Sequence, residues 1–204
     1  DDAEAHDKFL KIMQEQAEYM SSLIENLLSL SKIEMSQDMP PEDKVDVAKI
    51  IGEVSEALSL KAKAREIAIH SFIEPDLPEI TADARQVKQV VQNLADNAVK
   101  YGVAKSDMLI KARLVDNIPP SKSFQVAKGK SVNNKGPKIS PENLARLTER
   151  FYRMQEHKDL NIKGTGLGLA IAKHIILRHK GNLTVTSTAY NGTTFTIYLP
   201  LEIN

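Results

Sequence analysis

Three polar side chains follow one another along a predicted helix within the stretch QNLADNAVKYG (Gln92–Gly102). Asn93, Asn97 and Lys100 are four and three positions apart, and this spacing places them on one helix face. Mg²⁺ takes oxygen ligands in an octahedral array and usually completes its shell with phosphates and water. An asparagine carbonyl oxygen suits such a site, and a lysine one turn further suits a phosphate oxygen. The row predicts a site for a metal-bound phosphate, although a solvated helix edge would show the same pattern.

A glycine-rich stretch, IKGTGLGLAIAKHI (Ile162–Ile175), leads directly into an apolar helix. Gly164, Gly166 and Gly168 occupy alternate positions before it. Glycine tolerates positive φ and lets a ligand approach the main chain, while a helix N-terminus offers free N–H donors. The stretch therefore predicts a phosphate site, with a flexible loop before a core helix as the alternative. It lacks the GK[ST] ending of a Walker loop, and it follows a polar segment where a dinucleotide fingerprint would follow a strand.

The helix that carries the polar row is predicted to begin at Asp83 and to end near Gly102. Gln86 lies three residues after Asp83, which is the spacing of a capping box. The helix that follows the glycines is predicted to end at Gly181. The buried stripe of the first helix is predicted to contain Val87, Val90, Val91, Leu94 and Ala98.

The remaining elements predict an α+β fold, in which a mixed sheet is covered by helices on one face. A long N-terminal bundle helix is expected to precede this two-layer α/β sandwich. Residues 116–138 are poorly patterned and receive no element. The predicted elements are a helix from Val47 capped by Asp46, strands Ile67–Phe72 and Met108–Val115, a helix Leu144–Met154, and a hairpin of residues 182–188 and 193–199 joined by Asn191-Gly192.

The N-terminal block, from Lys8 to about Met35, is predicted to be a single helix. Its apolar residues follow a heptad-like spacing that is wider than the seam of a two-stranded coiled coil, which indicates packing in a bundle. We expect self-association through this helix, 8–35. The polar segment Gln37–Lys44 predicts a boundary between a domain of residues 1–38 and one of residues 39–204. The apolar stripe contains Phe9, Met13, Met20, Leu23, Leu27 and Leu30.

Composition limits the possible function classes. The chain has 204 residues, a formal net charge of zero and no cysteine. Disulfides and thiolate chemistry are therefore excluded, and the net charge gives no overall attraction to nucleic acid. No apolar run approaches the roughly 18–20 residues that span a bilayer.

The order of these motifs resembles the catalytic and ATP-binding domain of sensor histidine kinases. NLADNAVKYG, ISPENLARLTERFYRM and KGTGLGLAIAKHI correspond to the N, F and G2 boxes of that family, in family order. The N-terminal block, KFLKIMQEQAEYMSSLIENLLSLSKIEM, resembles the second helix of the family's dimerisation and phosphoacceptor hairpin. The resemblance covers nearly the whole chain and is especially close to phosphate-sensing members. It implies the superfold shared with gyrase and Hsp90 ATPases.

The resemblance implies ATP and Mg²⁺ as cofactors and assigns roles to individual residues. Asn97 is expected to bind Mg²⁺, and Asn93 is expected to support the phosphates or the metal. Arg153 is expected to contact a phosphate beside a lid formed by about residues 154–163. The expected nucleotide contacts also include Lys100, Tyr101, Asn134, Gly136, Ile139 and the main-chain N–H groups of Gly164, Thr165, Gly166, Leu167 and Gly168.

The segment NKGPKI (Asn134–Ile139) departs from the family's Asp-x-Gly-x-Gly motif. Asn134 takes the position of the aspartate that binds the adenine amino group. Gly136 keeps the first glycine, and Lys138 replaces the second. A neutral acceptor forms a weaker hydrogen bond than a charged one, so a loss of about tenfold in affinity is expected. The alternative is that Lys138 is harmless and that its charge helps to hold ATP.

The family's phosphoacceptor histidine motif has no counterpart in the sequence. His6, His70, His157, His174 and His179 are each expected to be structural or solvent-exposed. We expect the chain to be a fragment that begins between the two hairpin helices and cannot phosphorylate itself.

The implied function is the catalytic region of a two-component sensor histidine kinase. It would transfer the γ-phosphoryl group of ATP to a histidine, for relay to an aspartate of a response-regulator receiver domain. The resemblance implies a homodimer, a cytoplasmic location, and membrane attachment only through upstream segments. The alternative, based on the altered segment 134–139, is a degenerate nucleotide-sensing or non-catalytic regulatory module. Another ATPase of the superfold is disfavoured by the hairpin helix and the F box.

Overall fold

The structure is a computed structural model that describes residues 2–35, 41–115, 123–129, 138–155, 164–189 and 192–202. The helices are α1 (Asp2–Met35), α2 (Val47–Lys63), α3 (Ala84–Tyr101), α4 (Pro141–Arg146) and α5 (Gly168–Arg178). The strands are β1 (Lys44–Val45), β2 (Ala68–Ile73), β3 (Ile80–Thr81), β4 (Asp107–Val115), β5 (Ser123–Gly129), β6 (Asn182–Thr188) and β7 (Gly192–Pro200).

The main sheet has five strands in the order β2-β4-β5-β7-β6. Strands β2 and β4 are parallel, and the other neighbours are antiparallel. One face carries the buried residues of the central strands, because alternate side chains of a strand point to the same side. These residues are Met108, Ile110 and Ala112 of β4, and Phe195, Ile197 and Leu199 of β7. The predicted mixed sheet with one covered face is confirmed.

Helices α2, α3 and α5 form the second layer and share one apolar core with the sheet. All five residues of the predicted α3 stripe are buried, together with Ala95 and Val99. Asp46 caps α2 as predicted, accepting a hydrogen bond from the Lys49 N–H over 3.1 Å. Packing of the apolar stripes on the sheet thus orients the polar row of α3 away from the core.

The N-terminus of α3 differs in part from the predicted capping box. The Asp83 carboxylate accepts from the N–H groups of Arg85 and Gln86, as expected. The Gln86 side chain, however, accepts from Arg178 of α5 over 2.9 Å. The Asp83 N–H donates instead to Nε2 of the buried His179, over 3.1 Å. The second half of the cap therefore comes from α5.

Helix α1 is longer than predicted, because it begins at Asp2 rather than at Lys8. Its C-terminal part joins the core of the second layer: Leu30 is 3% exposed and Ile33 is 2% exposed. The part of the predicted self-association helix around Leu30 is thus covered by this chain itself. Phe9, Met13 and Met20 stay exposed further along the stripe. Among the described residues, no helix is long and apolar enough to cross a membrane.

The predicted helix Leu144–Met154 is wrong in its bounds. Helix α4 spans Pro141–Arg146 and begins at a Ser140 cap, and turns follow it as far as Phe151. Phe151 has φ +62°, which an α-helix cannot contain. Strand β5 lies within the segment that received no element. It is held by β4 and β7 on either side, so pairing with neighbours replaces the missing local pattern.

Candidate nucleotide site

Helix α3 and the start of α5 are joined by a side chain of the polar row. Asn93 Nδ2 donates to the main-chain oxygen of Gly168 over 3.0 Å. A Cβ built on Gly168 would lie 3.6 Å from Asn93 Cγ, which is an ordinary contact distance. The bond brings the glycine loop, 164–168, to the face of α3 that carries Asn97 and Lys100. The two motifs therefore lie side by side, with Asn93 as the link between them.

Gly166 occupies a position that no other residue type fits well. Its φ is +73°, and a Cβ there would lie 2.8–3.0 Å from the main chain of Phe151. The Phe151 N–H donates to the Gly166 oxygen over 3.1 Å. Both residues have positive φ, so the loop and the turn after α4 hold each other in uncommon conformations. Close approach to protein main chain thus explains this glycine independently of any ligand.

Gly164 lies against the last turn of α3. A Cβ built on it would lie 2.7 Å from Lys100 Nζ and 3.3 Å from the Tyr101 hydroxyl. The Lys100 ammonium is 5.5 Å from the centroid of the Tyr101 ring. Both side chains are half-buried where the loop crosses the helix. The structure therefore brings together Lys100, Tyr101 and the first glycine of the loop.

The charges at this crossing favour an anion. Burial lowers the pKa of Lys100; Asp96 opposes this, while the positive charges of Arg153 and Lys61 add to it. Burial likewise raises the pKa of Tyr101, and Arg153 counteracts that effect. The positive charge of Arg153 thus acts on both side chains of this crossing. A bound phosphate would favour the charged form of Lys100.

Asn97 has the chemistry that a Mg²⁺–phosphate complex requires. It is half-buried one turn from both Asn93 and Lys100, and its side chain makes no hydrogen bond to any described residue. Its carbonyl oxygen is thus available as a ligand. The described residues contain no group of three acidic or histidine side chains that could hold a metal alone. This donor set suits a cation that receives most of its ligands from phosphate and water.

Two further residues of the glycine loop, besides Gly166 and Gly168, are engaged within the protein. Leu167 is fully buried, and its N–H donates to Thr165 Oγ1 over 3.3 Å. Thr165 Oγ1 also accepts from Asn26 of α1 over 3.4 Å. The predicted use of the Leu167 N–H for phosphate therefore competes with a bond inside the loop.

The other predicted site residues lie near the ends of the described segment 138–155 or outside the described residues. The Ile139 N–H donates to Ser187 Oγ over 3.1 Å, which anchors this segment on β6. Lys138 is exposed beside it. Arg153 acts electrostatically on Lys100 and Tyr101, as described above. Asn134 and Gly136 lie outside the described residues, as do residues 156–163 of the expected lid.

The histidines are placed as expected where they are described. His6 is exposed, and His70 pairs with Asp107 over 3.0 Å. His174 is half-buried on α5, and His179 is buried at its end. His157 lies outside the described residues.

Sequence analysis missed several residues that shape the site. Phe151 supports Gly166, Asn26 contacts Thr165, and Arg65 binds the end of α3. Each acts across a long separation in sequence, so no local spacing identifies it. No sequence motif marks a Phe with positive φ or an Arg that follows a helix as part of a site.

Comparison with known proteins assigns most of the chain to one family of ATPases. A family model described as "Histidine kinase-, DNA gyrase B-, and HSP90-like ATPase" matches residues 82–203. The matched part contains α3, the glycine loop and α5, and leaves α1 and α2 outside.

The similarity to curated relatives covers more of the chain than the family model does. The chain is 31% identical over 181 residues to the sensor histidine kinase CusS of Escherichia coli (strain K12), covering 89% of this chain and 35% of that protein. It is 32% identical over 190 residues to the phosphate regulon sensor protein PhoR of Pseudomonas aeruginosa, covering 93% and 40%. The chain thus spans 35–40% of the length of these relatives.

Solved structures share the fold. The Acinetobacter baumannii histidine kinase AdeS superposes with a TM-score of 0.73 at 23% identity, over 94% of this chain and 83% of that chain. Full-length ShkA, solved in complex with AMPPNP, superposes with a TM-score of 0.74 at 26% identity, over 95% and 38%.

Proposed function

The chain belongs to the family of histidine kinase-, DNA gyrase B- and HSP90-like ATPases, and we propose that it supplies the catalytic region of a two-component sensor histidine kinase. In this function it binds ATP and transfers the γ-phosphoryl group to a histidine of a dimerisation hairpin. One observation carries the proposal: the Asn93–Gly168 bond holds the glycine loop against the α3 face that presents Asn97 and Lys100.

The residues of this face have separate tasks in the proposed reaction. Asn97 offers its carbonyl oxygen to Mg²⁺, which neutralises charge on the transferred phosphoryl group when bound. Lys100 and Arg153 bind phosphate oxygens, and Tyr101 covers the nucleotide beside them. The main-chain N–H groups of Gly164, Thr165, Gly166 and Gly168 donate to the triphosphate. Such sites act by positioning and electrostatic stabilisation rather than by covalent chemistry.

The proposed partners follow from the same function. The exposed apolar face of α1 pairs with a second copy in a homodimer, and the phosphoryl group passes to a response-regulator receiver domain. The chain functions in the cytoplasm, and any membrane attachment comes from segments upstream of it. Nucleic acid is not among the proposed partners, since a formal net charge of zero gives no overall attraction to it.

A second function is favoured by the altered segment before α4. Asn134 and Lys138 stand where the family has an aspartate and a glycine, and Lys138 is exposed in the structure. A module that binds nucleotide weakly, or not at all, could regulate a partner through α1 without phosphoryl transfer. The two functions differ in whether the chain transfers a phosphoryl group to an acceptor histidine.

The first experiment is a calorimetric titration of the full chain with Mg²⁺ and a non-hydrolysable ATP analogue. Binding that disappears when EDTA replaces Mg²⁺ supports the metal-dependent site. Absence of binding at millimolar analogue contradicts an ATP site altogether.

The second experiment supplies an acceptor. The chain alone, incubated with Mg²⁺ and γ-labelled ATP, should stay unlabelled because it has no phosphoacceptor motif. A dimerisation hairpin with its histidine, provided on a second chain, should gain acid-labile label, and its His→Gln variant should not. Nucleotide binding without labelling of any hairpin would favour the regulatory module instead.

A further inference from the structure

The C-terminal end of α3 is held by an arginine from another part of the chain. Arg65 lies in the turn that follows α2, and its guanidinium donates to the main-chain oxygens of Val99, Lys100 and Gly102. The bond from Nη2 to the Gly102 oxygen is 3.0 Å long. The side chain is half-buried, so these bonds are partly shielded from water. The Arg65 guanidinium thus donates to three carbonyl groups that have no partner within the helix.

This end of the helix carries the residues that meet the glycine loop. Lys100 and Tyr101 are the last two residues of α3, and both contact the position of Gly164. Gly102 ends the helix with extended backbone, and a Cβ there would clash with the Ala98 oxygen. The direction of the Lys100 and Tyr101 side chains therefore depends on how this last turn is held.

Arg65 is itself fixed by the main chain around it. Its N–H donates to the Ala62 oxygen over 3.0 Å, and its oxygen accepts from the Lys105 N–H over 3.3 Å. Glu66 and Lys105 both have positive φ, and they form an ion pair over 3.8 Å. The turns after α2 and α3 are thus joined before β2 and β4 begin their parallel pairing. The main chain of Arg65 is therefore held by hydrogen bonds on both its N–H and its carbonyl group.

We propose that Arg65 is a positioning residue of the nucleotide site: by binding the oxygens of Val99, Lys100 and Gly102, it sets the last turn of α3 so that Lys100 and Tyr101 face the glycine loop. The proposal rests on the proposed function, in which this face binds the phosphates of ATP. Arg65 acts through the helix end and makes no contact with the nucleotide. Its positive charge also suits the negative end of the helix dipole.

The test compares three variants of the full chain. Arg65→Met keeps much of the apolar stem and removes every donor, whereas Arg65→Lys keeps the charge and can serve some of the carbonyls. Arg178→Met is the matched control, because Arg178 binds Gln86 at the opposite end of the same helix. Thermal unfolding of each variant measures its loss of stability. Titration with Mg²⁺ and AMPPNP, below the lowest unfolding midpoint, measures affinity.

We expect Arg65→Met to raise the dissociation constant about tenfold and Arg65→Lys to raise it less, since small displacements of binding groups are costly. Arg178→Met should destabilise the chain but leave affinity within about twofold of the parent. Unchanged affinity in Arg65→Met, or an equal loss in Arg178→Met, would overturn the positioning role. If Arg65→Met does not fold, the same comparison is decided by Arg65→Lys.

A second measurement needs no nucleotide. The NMR signals of the Lys100 side chain, the Tyr101 ring and the Gly164 amide should shift in the Arg65 variants and stay in place in Arg178→Met. A parent chain that binds no AMPPNP would contradict the proposed function, while these signals would still decide the role of Arg65. Signals identical to those of the parent in Arg65→Met would refute it.

Discussion

Asn93 Nδ2 donates to the main-chain oxygen of Gly168 over 3.0 Å and thereby joins the helix of the polar row to the first residue of α5. The bond uses the nitrogen of the amide and not its carbonyl oxygen. Asn93 and Asn97 are therefore similar in sequence but differ in their surroundings. One is engaged within the protein, and the other makes no side-chain hydrogen bond among the described residues.

This difference predicts contrasting effects of two alanine substitutions. Asn97→Ala should abolish Mg²⁺-dependent nucleotide binding with a change in stability of less than about 0.5 kcal/mol, because it removes a ligand and no protein contact. Asn97→Asp should also abolish binding, because it changes the charge beside the phosphates. Asn93→Ala should lower the free energy of unfolding by about 1 kcal/mol, because it removes a hydrogen bond between two helices. Calorimetry and urea unfolding measure both effects. Parent-like affinity in both Asn97 variants would contradict the assignment.

Two glycine substitutions should distinguish a position where a side chain is strained from one where a side chain has room. Gly166→Ala places a Cβ at φ +73° and within 3.0 Å of the Phe151 main chain, so we expect a loss of about 1–3 kcal/mol in stability. Gly168→Ala is the control, because its Cβ would meet Asn93 at an ordinary 3.6 Å. Alanine also suits the first turn of α5, so the change in stability should stay below about 1 kcal/mol. Urea unfolding of both variants is the measurement. Equal losses would mean that the loop rearranges.

The buried His179 predicts a loss of stability in mild acid. Its side chain is 1% exposed, and burial lowers its pKa below the ordinary value. Nε2 accepts from the Asp83 N–H, and Nδ1 lies 2.7 Å from the Ile175 oxygen, so the neutral ring satisfies both partners. The unfolded chain binds the proton more readily than the folded chain does. The stabilising contribution of neutral His179 is therefore fully present above about pH 6.5 and is lost as the pH falls through the folded-state pKa.

The slope from this one proton should reach at most about 1.4 kcal/mol per pH unit. Urea unfolding at pH values from about 7.5 to about 5 measures this slope, because histidine titrates in that range. His179→Gln should flatten the slope, whereas His174→Gln, on the same helix, should retain it. A parent-like slope in His179→Gln would assign the acid sensitivity to other groups.

The exposed stripe of α1 predicts self-association. Phe9 is 61% exposed and Met20 is 60% exposed, and each large apolar side chain that becomes buried contributes roughly 1.5–3 kcal/mol. Sedimentation should therefore show dimers, and the double variant Phe9→Glu/Met20→Glu should be monomeric. Leu60→Glu is the control, because Leu60 is 80% exposed on α2, away from this stripe. A parent chain that stays monomeric at high concentration would contradict the interface.

Restoring the family residues before α4 should strengthen nucleotide binding. Asn134→Asp supplies a charged acceptor for the adenine amino group, and Lys138→Gly removes a bulky side chain. Together they should lower the dissociation constant for ATP about tenfold, since 1.4 kcal/mol corresponds to one decade. Calorimetry under identical Mg²⁺ and salt compares the double variant with the parent. Tight binding that does not change would mean that both substitutions are tolerated, and no binding in either protein would favour the regulatory module.

Sequence alone was sufficient for the elements whose pattern repeats locally. The stripe of α3 follows from a period of 3.6 residues, and all five of its predicted core residues are buried. The order of the N, F and G2 boxes likewise indicated the family. These features depend on neighbours within a few residues, so the sequence contains them directly.

Tertiary structure alone decided how these elements are joined. His179 completes the cap of α3, Phe151 confines Gly166, and Arg65 holds the last turn beneath Lys100. Helix α4 is shorter than its apolar spacing predicted, and the segment that lacked a pattern contains β5. In each case the deciding partner lies far away in sequence. Hydrogen bonds and packing across the fold outweigh local propensity there, because a buried polar group or a strand edge takes whichever partner the fold brings near.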